Sequence, residues 1–92
     1  VDVAHIDIQR RLGSMSDVTL KRLLAYNNVQ EIHVSLSTGT KDSHKPARAG
    51  DWGVEWACEK LKDRVPVIIE CVMNKMSRNE RLDQIELLLG KV

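Results

Sequence analysis

Apolar positions in this chain fall into short β-branched runs separated by stretches of helical spacing. Val1-Asp-Val-Ala-His5-Ile-Asp-Ile8 is mostly apolar and β-branched, which predicts a first strand. Gln9 to Met15 is polar, holds Gly13 and reads as a loop. Ser16 or Asp17 can cap a helix whose apolar positions are Val18, Leu20, Leu23 and Leu24, ending near Asn27-Asn28. Val29 to Leu36 predicts a second strand. Alternation turns Ile32, Val34 and Leu36 to one face and Glu31, His33 and Ser35 to the other. Ser37 to Trp52, with its Gly, Pro, Ser and Asp, predicts a long loop, and long loops inside compact domains are usually functional. Gly53 to Lys62 is helical, with Val54, Ala57, Cys58 and Leu61 on one stripe. Val65 to Val72 predicts a third strand. Ser77-Arg-Asn-Glu80 is a capping box for a last helix with Leu82, Ile85, Leu88 and Leu89 as its apolar stripe, closed by Gly90.

Strand and helix thus alternate three times, which predicts an α/β fold with a parallel sheet and right-handed crossovers. Three parallel strands leave open sheet edges, whereas parallel sheets are normally covered on both faces or closed into a barrel. A closed barrel of eight such units takes roughly 250 residues. The 92 residues here amount to about three of the eight units. The chain therefore reads as a single partial domain over residues 1–92, whose partner is the rest of a barrel or another chain. An opening on Val1 rather than Met, inside an apolar run, suggests a trimmed chain.

Composition changes this picture little. The chain has no Phe, so its core must be aliphatic. A net charge of +1 gives no case for nucleic acid or a membrane surface. No apolar run reaches ~18 residues and no signal-peptide pattern is visible. Cys58 and Cys71 form neither a disulfide framework nor a CxxC metal site, and point to a reducing, cytoplasmic compartment.

The candidate chemistry gathers at the carboxyl ends of the strands, where barrel enzymes hold their active groups. Asp2 and His5 lie on the first strand, His33 on the second, Asp42 and His44 on its loop, and Glu70 near the end of the third. Strict alternation would put Asp2 and His5 on opposite faces, unless the strand is already turning at His5. The inner face of a buried parallel strand should be apolar, and Glu31, His33 and Glu70 break that rule. A buried carboxylate needs a metal or a paired cation, and these residue types are ordinary ligands of zinc, manganese or iron. Glu31 can equally be an ion-paired residue near the barrel floor. Trp52 and Trp56 read as filling between helix and sheet. Arg10, Arg11, Lys41, Lys45 and Arg48 flank the proposed mouth and read as solvated charge, with anion binding as the sharper alternative.

The residues resemble a family. Asp2-Val-Ala-His5 resembles the D-x-x-H element of the xylose isomerase-like barrels, the superfamily that includes the apurinic-site endonucleases. Ile32-His33 resembles its next-strand histidine, Asp42-Ser-His44 its D-x-H loop, and Val67-Ile-Ile-Glu70 its last-strand glutamate. The resemblance implies the last three strand-helix units of a TIM barrel, with Asp2, His5, His33, Asp42, His44 and Glu70 as metal ligands. Glu70 and His33 are then also the groups on which activity depends. It implies a divalent cofactor and, first, phosphoester hydrolysis by a metal-activated hydroxide on a phosphate-containing substrate. A sugar isomerase or epimerase with one divalent metal is a second branch, and a multinuclear non-heme iron oxidase that modifies peptides is a third. A non-catalytic fragment or assembly module is the alternative outside enzymes.

Overall fold

The computed structural model describes residues 1–90 as a mixed α/β unit. In chain order the elements are α1 (Val3–Arg11), α2 (Asp17–Leu24), β1 (Ile32–Val34), β2 (Leu36–Thr38), β3 (Lys41–Lys45), α3 (Trp52–Lys62), β4 (Val67–Ile69) and α4 (Arg78–Leu88). β1 and β4 pair in parallel, with Ile32 opposite Val67, His33 opposite Ile68 and Val34 opposite Ile69. Asp2 makes a parallel bridge to His33 on the other side of β1. The order Asp2, β1, β4 therefore keeps the parallel relation that strand-helix alternation predicts. The described residues form no closed barrel and no repeated unit.

The first element is a helix and not the strand that the β-branched run suggests. Only Val1 and Asp2 stay extended, the His33 amide donating to the Val1 carbonyl at 2.7 Å. Asp2 is then the N-cap, its carboxylate accepting from the Ala4 and His5 amides. That bond satisfies orphan donors of the first turn and starts the helix at once. The buried side is Val3, Ala4 and Ile6. At the other end Gly13, at φ 76°, closes α1: its amide donates to the Arg10 carbonyl and that of Ser14 to the Gln9 carbonyl. This is the paired bonding of a Schellman end, which favours glycine at the left-handed position.

The segment predicted as a long loop also differs. Leu36–Thr38 and Lys41–Lys45 form an antiparallel hairpin that turns at Gly39, φ 58°, with an irregularity between Leu36 and Thr38. Arg11 ties this hairpin to α1, donating to Ser37 Oγ at 2.8 Å and to the Gly39 carbonyl at 2.6 Å. The flanking basic residues are thus partly structural.

Behind the parallel pair sits the core: Val3, Ile32, Val34, Ala47, Val54, Ala57, Leu87 and Leu88, with Val67, Ile69, Trp52 and Trp56 packed against it. The indoles are anchored, Trp52 Nε1 donating to Asp7 and Trp56 Nε1 to the Leu24 carbonyl, which gives them the packing role read from sequence. α4 begins on the predicted capping box, Ser77 and Glu80 each bonding the other's backbone. Its buried face is Gln84, Leu87 and Leu88, whereas Leu82, Ile85 and Leu89 of the expected stripe are exposed. The stripe is rotated because Gln84 turns inward. It clasps Ala47, accepting from its amide and donating to its carbonyl, and so satisfies two buried backbone groups.

A candidate carboxylate–histidine metal centre

Parallel register decides which side chains share a face. His33 lies opposite Ile68, and Glu70 follows Ile68 by two residues, so alternation puts Glu70 on the face of His33. Ile32, Val34, Val67 and Ile69 turn to the opposite side and join the core. One side of the two-stranded sheet thus packs on the core, and the other carries His33, Ile68 and, just beyond β4, Glu70.

Asp2 arrives on that side at the end of the extended segment. Asp2, His33 and Glu70 each offer one ligand atom, and these atoms all lie within 4.8 Å of one another. His33 Nδ1 is 2.8 Å from Glu70 Oε1, and His33 Nε2 is 2.7 Å from Glu31 Oε1. The hydrogen bond with Glu31, aided by the nearby charge of Glu70, raises the His33 pKa above its ordinary value of 6.5.

The other three predicted residues meet beside this group. His5 Nε2 is 2.7 Å from Asp42 Oδ2, and His44 Nε2 is 3.4 Å from the same oxygen. The bond with Asp42 raises the His5 pKa above 6.5. His5 Nδ1 is 3.5 Å from Asp2 Oδ2, which links the two halves. Strand alternation would have separated Asp2 and His5. A helix does not, because the N-cap and the third residue after it stand over one turn. The six residues therefore fall into a group round His33 and a group round Asp42, linked through Asp2 and His5.

The hairpin is what delivers Asp42 and His44. His44 takes a left-handed φ of 48°, a conformation that costs a side-chain-bearing residue about 1–2 kcal/mol. Its carbonyl accepts from the Val72 amide at 2.9 Å, fastening the hairpin to the segment after β4. A cleft of about 560 Å³ bordered by Trp52, Trp56, Glu55 and Glu59 lies apart from the six residues. A cleft of about 530 Å³ bordered by Leu36, Thr38, Lys45 and Arg48 is likewise lined by none of them.

A metal fits the donor set of the first group. One imidazole nitrogen and two carboxylate oxygens are ligands for zinc, manganese or iron. The Asp2 oxygen that does not cap α1 is free of amide donors, since both capping bonds go to Oδ1. Sequence reasoning named all three residues. It set Glu31 on the face of His33, with an ion pair as one reading, but left it out of the ligand set; in the structure Glu31 Oε1 meets His33 Nε2. No family model, curated protein or solved structure matches the chain. Its geometry defines a small α/β unit with a histidine–carboxylate cluster beside a parallel strand pair.

Proposed function

We propose that this chain is the C-terminal part of a metal-dependent (β/α)8 barrel enzyme of the xylose isomerase-like kind, and that the reaction it serves is phosphoester hydrolysis. The observation that carries this is the mutual approach of Asp2, His33 and Glu70 within 4.8 Å. Three segments far apart in sequence converge there, at the end of the sheet where barrel enzymes keep their ligands. The neighbouring His5 and His44, both facing Asp42 Oδ2, are further residues of ligand type, which favours a multinuclear hydrolase. A divalent ion so held supplies Lewis-acid polarisation and a nucleophile made from water at neutral pH. The chain's own residues orient it. Asp2 is fixed by the α1 amides, Glu70 is carried on the β4 segment next to β1, and Asp42 is braced between two histidines.

The proposal also places another part of a barrel, or another chain, against the open side. Ile68 stands on the His33 face and is exposed, β4 has a partner on one edge, and Leu82, Ile85 and Leu89 leave an apolar stripe on α4. Two free cysteines accord with a reducing compartment such as the cytoplasm. No helix of the described residues is long and apolar enough to cross a membrane.

A single-metal isomerase is the second reading. It is favoured by the fact that, among the described residues, only Asp2, His33 and Glu70 form a group with all donors mutually close. Metal titration decides between them. Two or more zinc ions per chain, with cleavage of a phosphodiester by the barrel-completed protein, is the expected result. One manganese per chain with aldose–ketose exchange would replace it by the isomerase, and bound iron with oxygen uptake by the oxidase. No bound ion at all would overturn the metal reading.

A further inference from the structure

Beside the cluster stands a carboxylate that the ligand set leaves out. His33 has a different carboxylate at each ring nitrogen, Glu70 at Nδ1 and Glu31 at Nε2. Glu70 belongs to the group whose donors lie within 4.8 Å of one another, and Glu31 does not. The two glutamates therefore serve opposite edges of one imidazole. The arrangement follows from the strands: Glu31 directly precedes β1 and sits two before His33, on its side, while Glu70 directly follows β4.

A neutral imidazole has one N–H and one lone pair, and only the lone pair can bind a cation. Which nitrogen keeps the hydrogen is set by the acceptor next to it. We propose that Glu31 is the positioning residue of this site: it accepts the Nε2–H of His33, so that Nδ1, the nitrogen that faces Glu70, takes a divalent cation. The inference rests on the metal reading above and adds the second residue that orients its only imidazole. An acceptor in this place fixes both tautomer and ring angle and makes the ligating nitrogen more basic. The plainer alternative is a surface ion pair, which would contribute little to anything. Glu31 is half exposed, so shortening it opens no cavity.

The test is a zinc titration of the 15N-histidine-labelled chain, read by long-range proton–nitrogen correlation and by equilibrium affinity. Zinc is expected to shift Nδ1 of His33 while Nε2 stays protonated. Glu31→Ala is expected to weaken zinc binding by about 10–100-fold, with the far-ultraviolet dichroism unchanged. Glu31→Gln, whose amide oxygen can accept the same hydrogen, should stay within about threefold of the native chain. Unchanged affinity in Glu31→Ala, or zinc carried on Nε2, overturns the positioning role and leaves the metal reading standing. Zinc that moves neither nitrogen of His33 overturns the metal reading, and the positioning role with it.

Discussion

At the scale of single residues, position on a strand face separates groups that a count of ionisable residues would treat alike. Among the described residues no amide donates to the Glu70 carboxylate, which lies 2.8 Å from His33 Nδ1. Glu70→Gln keeps the shape and removes the charge a cation requires. We expect zinc binding at the first group, and activity of the barrel-completed protein, to be lost while the fold persists. Native affinity by calorimetry in that variant would leave Glu70 a purely structural role. Ser35 gives the opposite expectation. Its hydroxyl is fully buried and has no hydrogen-bond partner among the described residues. A buried unpaired group costs about 1–3 kcal/mol, so deleting it relieves that cost while vacating very little volume. Ser35→Ala should therefore be neutral or stabilising in urea unfolding. A loss above about 1 kcal/mol would mean that the hydroxyl has a partner, such as a buried water.

At the scale of elements, close approach and capping decide more than propensity. Gly53 lies in the first turn of α3, where alanine would ordinarily gain about 0.8–1 kcal/mol of helix propensity. A Cβ there would stand 2.9 Å from both Cβ and Cγ2 of Val3. Val3 is itself buried and branched at that carbon, so the contact cannot be relieved by a flexible chain end. Overpacking of about 1–3 kcal/mol should outweigh the propensity gain, and Gly53→Ala should lower the unfolding midpoint. A raised midpoint would show that α1 and α3 can separate freely. The same contact shows why the sequence misleads over its first eight residues. Val1, Val3, Ile6 and Ile8 look like a strand, but the decisive signals are Asp2 as a cap and Gly13 as a stop, both non-apolar and easily read as loop chemistry. The hairpin was hidden for a related reason. Lys41, Asp42, Ser43, His44 and Lys45 have no apolar alternation, because their pairing faces α1 through polar contacts and an Arg11 tether. The parallel pair, α3 and the capping box of α4 were legible because burial and periodicity agree there. The six candidate residues were legible by type, but the place of His5 on α1 and of Asp42 and His44 on β3, and their division into two groups, were not. That division depends on α1 being a helix.

At the scale of the whole molecule, the metal proposed above would compete with protons for the same histidines, and that competition would set how stability varies with pH. His5 and His33 both have pKa values raised above 6.5, by their hydrogen bonds to Asp42 and Glu31 respectively. A raised folded-state pKa means that the folded chain holds these protons more tightly than the unfolded one. The stabilisation is then complete below about 6.5 and is lost as pH rises through the folded values. Both side chains are partly solvated, so the effect is modest. Metal acts with the opposite sign, since a ligating imidazole must be unprotonated and a folded site binds where an unfolded chain does not. Zinc at one hundred times its dissociation constant adds about 2.7 kcal/mol, and that constant itself falls as pH rises through the histidine range. Two unfolding series across about pH 5.5 to 8.5, one with chelator and one with excess zinc, should therefore diverge. The histidine contribution makes the metal-free curve slope downward with pH, while the zinc increment grows. Replacing His33 with Gln should flatten both changes. A zinc increment independent of pH would mean that the ion is held by carboxylates alone. A metal-free slope unaltered by removing His5 and His33 would mean that their carboxylate partners hold them no more tightly in the folded chain than water does in the unfolded one.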